Sequence, residues 1–144
     1  MTKRLVVFAL AAITFAAAPR SLKAADALCP LGNATLRGTY VSMSSGTFVG
    51  IGPVAGLGRV TLDGNGNSVN PFTASVNGSI VRAISTGTYT VNSDCSATLT
   101  LSVGNGTPTH YDMVVAPDGS NFSWIETDAG TVFSGTARRL EHGE

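Results

Sequence analysis

Short runs of β-forming residues, each ended by residues that tolerate positive φ, constrain this chain more than any other feature. The punctuation reads DGNGN (Asp63–Asn67), NGS (Asn77–Ser79), NSDC (Asn92–Cys95), GNGTP (Gly104–Pro108), PDGS (Pro117–Ser120) and TDAG (Thr127–Gly130). Asn-Gly and Asp-Gly between stretches rich in Val, Ile, Thr, Tyr and Phe are the strongest short-range signals for β-hairpins. No segment after residue 27 has a convincing helical period. Eight strands are expected: Leu36–Ser44, Ala55–Leu62, Ser68–Val76, Ile80–Val91, Ala97–Val103, Thr109–Ala116, Asn121–Thr127 and Thr131–Arg139. Nearly every connection is tight, so sequence neighbours should be sheet neighbours. An all-β, eight-stranded antiparallel sheet of this kind removes its edges by closing into an up-and-down barrel. A β-sandwich is the alternative, but it needs crossover connections that few of these loops are long enough to make. The loosest stretch, SSGTFVGIGPVAG (Ser44–Gly56), reads as a mobile flap at one barrel mouth.

The turns also predict register. A two-residue turn at Asp118-Gly119 sets Val115 opposite Phe122, Met113 opposite Trp124 and Tyr111 opposite Glu126. Extending through GNGTP places Leu101 beside Tyr111 and Leu99 beside Met113; extending through NSDC places Tyr89 beside Leu99. One apolar face then runs across four strands, with Tyr89, Leu99, Met113 and Trp124 in a single layer. A one-residue slip would turn that face outward.

The start of the chain has a different character. Lys3 and Arg4 precede an unbroken apolar run, Leu5–Ala18, and Ala25-Asp26-Ala27 offers an A-x-A cleavage site. That pattern is a secretory signal peptide over residues 1–27, since the run falls short of the roughly 20 apolar residues of a membrane span. Residues 28–144 then form a single barrel domain, exported to a periplasmic or extracellular space. This mature chain holds five Arg, no Lys and eight acidic residues, a net charge of −3 with histidines neutral. Its composition offers no basic stripe for nucleic acid and no polybasic patch for a membrane. Cys29 and Cys95 are the only cysteines, and in an exported chain such a pair reads as a disulfide that ties the new N-terminus to the turn at Asp94.

LRGTYVSMSSG, GLGRVTLDGNGN, GTYTVNSDCSATLTL and IETDAGTVFSGTARR resemble segments of small exported bacterial proteins similar to the allene oxide cyclase-like barrels. The resemblance covers essentially all of the mature chain. It implies a calycin-like eight-stranded barrel that holds an apolar ligand or steers the cyclisation of a flexible one. No catalytic residue carries over, because no catalytic motif of the plant enzymes matches positions here.

The inward face of FSWIETDAG reads Phe122, Trp124, Glu126, a carboxylate following the chain's single tryptophan. Two readings are open. Glu126, with Tyr111 beside it, is a general acid or polar anchor in a lumen where desolvation raises its pKa; or it is a rim residue whose carboxylate reaches water. Tyr40, Tyr89, Leu99, Leu101, Met113, Phe122 and Trp124 line a ligand site or simply fill the barrel, since eight strands enclose either a packed core or one small ligand. His110 and Asp112 point to the opposite face and read as exposed polar residues, and Arg138 and Arg139 read as a solvated strand end. The glycine-rich turns lack the acids of a calcium loop, so no metal and no cofactor are expected. The reading is a barrel binding a small apolar molecule, with an isomerase or cyclase second and a packed structural or interaction barrel third. Outward apolar residues such as Val114 and Ile125 leave a homodimer open.

Overall fold

The computed structural model describes residues 27–140, so nearly all of the expected signal peptide and the tail bearing His142 lie outside the described residues. A short 3-10 turn, Gly32–Thr35, leads into eight strands: β1 (Arg37–Phe48), β2 (Gly52–Asp63), β3 (Asn67–Val76), β4 (Ser79–Val91), β5 (Ser96–Val103), β6 (Thr109–Val115), β7 (Asn121–Glu126) and β8 (Thr131–Arg139). Each pairs antiparallel with the next. β1 also pairs with β8, from Tyr40 opposite Arg139 to Phe48 opposite Thr131, and closes an up-and-down barrel rather than a sandwich. Side chains alternate in and out along every strand because the pleat has a period of two. Along β7, Phe122 and Glu126 are buried while Asn121, Ser123 and Ile125 are exposed.

The hairpin turns give most of the expected register. Val115 faces Phe122, Met113 faces Trp124, Tyr111 faces Glu126 and Tyr89 faces Leu99. The β5–β6 pair departs from expectation by two residues: Leu99 lies opposite Tyr111, and Ala97 opposite Met113. The turn there closes early, with Gly106 N donating to Val103 O, and Gly104 takes the positive φ it requires. Pro108 has no N–H, and the ladder ends at Thr109. A shift of two keeps the same face inward, so the core survives the error but its layers change. Tyr89, Leu99, Tyr111 and Glu126 form one row, and Ala97, Met113 and Trp124 the next.

Ser44–Gly56 is a hairpin, not a flap. β1 runs to Phe48, β2 begins at Gly52, and the two pair directly across Val49-Gly50-Ile51. Val49 N donates to Gly130 O at 2.8 Å, tying this turn to the β7–β8 turn. The glycine content reflects close packing: a Cβ on Gly46 would sit 1.9 Å from the Val132 carbonyl oxygen. The wall has one interruption. β2 and β3 pair at Gly58–Phe72 and again at Thr61–Val69, with Arg59 and Val60 unpaired to Pro71 and Asn70 between them. Pro71 has no N–H to give the ladder.

One end of the barrel is packed solid. Leu36, Tyr40, Val60, Leu62, Tyr89, Val91, Val115 and Ala137 gather there under the segment from Cys29 to Leu36. The Cys29–Cys95 disulfide, with Cα atoms 5.1 Å apart, anchors that segment to the β4–β5 turn as expected, and Cys29 N donates to Ser93 O beside it. The Tyr89 hydroxyl donates to Leu36 O at 2.6 Å and accepts from Gly64 N, and Asn33 Oδ1 accepts from Val91 N. Arg139 is not a solvated strand end. It points inward, donating through Nη2 to Thr35 O and to the Tyr40 hydroxyl, which in turn donates to Gly119 O. The turns at this end are held by carboxylates. Asp63 accepts from Asn65 N, Asn67 N and Asn67 Nδ2, which hold its carboxyl down at about 2. Asp94 and Asp118 are lowered the same way by Ser96 and Ser120.

Two outcomes follow for stability. Replacing both Cys29 and Cys95 with Ala should lower the unfolding free energy by about 4 kcal/mol on the chain-entropy account, seen as a lower urea midpoint with the dichroism spectrum of the native state unchanged. The turn carboxylates have folded pKa values below their unfolded ones, so their stabilisation is present above the ordinary value of 3.8 and is lost as pH falls toward about 2. Melting temperature should drop through that window, and less steeply in Asp63→Ala.

Candidate functional site

The other half of the barrel is hollow. A cavity of about 370 Å³ occupies it, within the size range of small-molecule sites, about 300–1,000 Å³. Its mouth lies among the β1–β2, β3–β4, β5–β6 and β7–β8 turns, and its floor is the packed end. The hollow comes from small inward residues: Ser42 and Ser44 on β1, Gly56 and Gly58 on β2, Ala74 on β3 and Ser85 on β4. The strands of the opposite wall carry the large groups, Leu99, Leu101, Tyr111, Phe122, Trp124 and Phe133. The signal for this hollow is present in the sequence as period-two small residues, Ser42-x-Ser44-x-Gly46 and Gly56-x-Gly58, and it decides between hollow and packed once the inward parity of β1 and β2 is known.

The residues singled out from sequence divide by depth. Glu126, Tyr111, Leu99, Leu101, Phe122 and Trp124 line the cavity together. Tyr40, Tyr89 and Met113 do not. They are inward-facing but belong to the packed end, where Tyr40 sits edge-on to Phe122 with ring centroids 5.3 Å apart. Strands tilt in a barrel, so a hydrogen-bonded row climbs around the axis. The row that starts at Tyr89 near the floor therefore ends at Glu126 near the mouth. Sequence reasoning missed Phe48, Phe133, Asn70 and Ser85. Phe48 was hidden by the flap reading. Phe133 lies on the same face as Trp124, their centroids 5.2 Å apart, and Phe48 stacks edge-on against it at 5.6 Å.

Glu126 is the chemical centre of this wall. It is 8 % exposed, projects into the cavity, and its carboxylate makes no hydrogen bond or ion pair among the described residues. Burial raises its pKa first, and the nearby Asp128 carboxylate raises it further. The Tyr111 hydroxyl is hydrogen-bonded to Thr109 Oγ1 at 3.0 Å and its ring stands edge-on to Trp124 at 5.3 Å. Burial raises the Tyr111 pKa as well, so the phenol stays protonated and can donate. On the opposite wall Asn70 Nδ2 donates to Ser85 Oγ, while Asn70 Oδ1 has no partner among the described residues.

His110 faces outward, as expected, but its partner is Asp128 rather than Asp112. His110 Nδ1 lies 2.8 Å from Asp128 Oδ1, and His110 N donates to Asp128 Oδ2. These bonds lower the Asp128 pKa and fasten the start of β6 to the β7–β8 turn beside the cavity mouth. Val114 and Ile125 are exposed on the outer surface at 68 % and 52 %. Among the described residues no helix is long and apolar enough to cross a membrane.

The chain matches no family model, no curated protein and no solved structure. The geometry of the lumen therefore carries the functional argument.

An unpartnered buried carboxyl destabilises the fold when it ionises. Its folded pKa lies above the unfolded one, so its favourable contribution is present at low pH and is lost as pH rises from about 4.5 through the raised value. Glu126→Gln should melt higher than the native protein at neutral pH, and the difference should shrink to nothing as the pH is brought below about 4.5. A difference independent of pH would assign Glu126 to the solvated rim.

Proposed function

We propose that this protein binds a small, largely apolar molecule in the open half of its barrel. The observation that carries the reading is the cavity of about 370 Å³, walled by aromatic and aliphatic side chains and floored by a tightly packed end. Apolar walls with a few placed polar groups are what small-molecule sites present. A hollow of this kind weighs against a barrel that is merely structural. The closed eight-stranded meander is compatible with the calycin-like, allene oxide cyclase-like resemblance, although that likeness of fold carries no function by itself.

We also propose that the protein is exported. The Cys29–Cys95 disulfide fits an oxidising compartment, and the apolar run behind Lys3 and Arg4 supplies the means.

A second reading, an isomerase or cyclase acting in the same lumen, is favoured by the juxtaposition of Glu126 and Tyr111 on paired strands, both with raised pKa values. Such a pair could move a proton on a substrate folded against Trp124.

Native mass spectrometry of the mature protein from its own host should show an additional mass of a few hundred daltons, the size a cavity in this class encloses. Ser44→Leu puts an apolar side chain into the lumen opposite Gly56. It should abolish that adduct while melting no lower than the native protein. Retention of the adduct in this variant would move the site out of the lumen.

A further inference from the structure

The lumen is not evenly apolar. Among the described residues Glu126 is the one lining it that carries a formal charge, and no Arg or His lines it with a compensating positive charge. None of the five arginines of the described residues lines it; Arg139 points into the packed end, and Arg59 and Arg82 border the outer depression beside Pro71. Glu126 as a residue is 8 % exposed, and its carboxylate, open to the lumen, meets no donor among the described residues. A buried carboxylate without a partner is costly, and a chain that keeps one at the wall of a cavity has left its partner to be supplied from outside.

The neighbours of Glu126 narrow that partner. Tyr111 faces it directly across the β6–β7 pair, and Trp124 precedes it on the same face of β7. Phe133 packs edge-on to Trp124, and Phe48 edge-on to Phe133, so Trp124 belongs to a chain of aromatic rings in the same lumen as the carboxylate. Aromatic faces attract cations and repel anions, most strongly where water is excluded. Asp128 adds negative potential at the mouth, and concave low-dielectric walls focus it. A carboxylic acid ligand would meet an uncompensated negative field, and a neutral ligand would leave Glu126 unpaired.

We propose that the ligand of this lumen is an amphiphilic amine, its ammonium group paired with Glu126 and bordered by Tyr111, Trp124 and Phe133, its apolar body lying along Leu99, Leu101 and Phe122. The proposal rests on the lumen being the binding site, as argued above. The ammonium donates to the carboxylate while the aromatic rings replace part of its hydration. The hydrocarbon fills the space between those residues and the small-residue wall of β1 and β2.

Trp124 is the chain's single tryptophan and lines the cavity, so its emission reports occupancy. Decylamine, decanol and decanoate, titrated into the mature protein at neutral pH, share a hydrocarbon chain and differ in the head group. Decylamine should bind roughly tenfold tighter than decanol or better, as expected for a hydrogen bond to a buried charge, and decanoate most weakly. In Glu126→Gln the ratio between amine and alcohol should collapse toward one. Decanol binding as tightly as decylamine in the native protein, decanoate binding best, or a ratio that survives Glu126→Gln would each overturn the amine assignment while leaving the lumen as a binding site. If none of the three changes Trp124 emission or adds mass in the native spectrum, the lumen reading falls and the amine assignment with it.

Discussion

Closure of the ring by β1 and β8 is the constraint on which everything else depends. Nine residues of β1, from Tyr40 to Phe48, pair with β8 between Arg139 and Thr131. Without that ladder the sheet would have two free edges, and the inward residues of β1 and β8 would have no opposite wall. With it, every inward position is fixed in azimuth and depth, and the interior is shared between two demands. Large side chains fill one end; serine and glycine leave the other empty. Closure also explains why glycine recurs on inward-facing positions. Gly46 and Gly135 lie in the β1–β8 seam, where a Cβ would collide with Val132 O in the first case and with Met43 O and the Trp124 ring in the second.

The packed end does more than supply hydrophobic burial. The segment Cys29–Leu36 covers it like a stopper, held by a disulfide on one side and by Arg139, Tyr40 and Tyr89 on the other. Tyr40 and Tyr89, fully or nearly fully buried, donate their hydroxyls to backbone carbonyls, while the buried Thr35 and Ser68 hydroxyls have no partner among the described residues. A rigid floor lets the other half tolerate a cavity and an unpartnered carboxylate. Stability is concentrated where no ligand goes, and the cost of Glu126 is borne by residues far from it.

Much of this was legible from sequence because the chain obeys a period-two rule with loud turns. Asp118-Gly119 fixed the β6–β7 pairing, and with it the contact between Tyr111 and Glu126. Parity alone identified the inward face of four strands. Depth was not legible. Parity says that Tyr40, Tyr89 and Met113 point inward, but only the tilt and stagger of a closed barrel place them in the floor rather than the lumen. The β5–β6 turn could close in two ways that differ by two residues and share a parity, so pattern could not separate them. Gly and Pro in SSGTFVGIGPVAG looked like flexibility, whereas Gly46 is required by the closeness of the β8 backbone. His110 found Asp128 because the β7–β8 turn swings back over β6, a relation no spacing along the chain encodes.

The interruption at Pro71 has a mechanical consequence. A closed hoop distributes load around its circumference, and a gap in one ladder passes its share to the pairs that flank it. The β2–β3 ladder leaves two positions unpaired between Gly58–Phe72 and Thr61–Val69, while the neighbouring β3–β4 ladder is continuous from Asn67 to Val76. At this gap the Gly58–Phe72 and Thr61–Val69 pairs on either side carry that share. The gap lies beside Asn70, whose Oδ1 has no partner among the described residues, and beside the outer depression around Arg59 and Arg82. There the lumen and the outer depression are the two faces of one stretch of wall, with Leu57, Gly58 and Phe72 lining both.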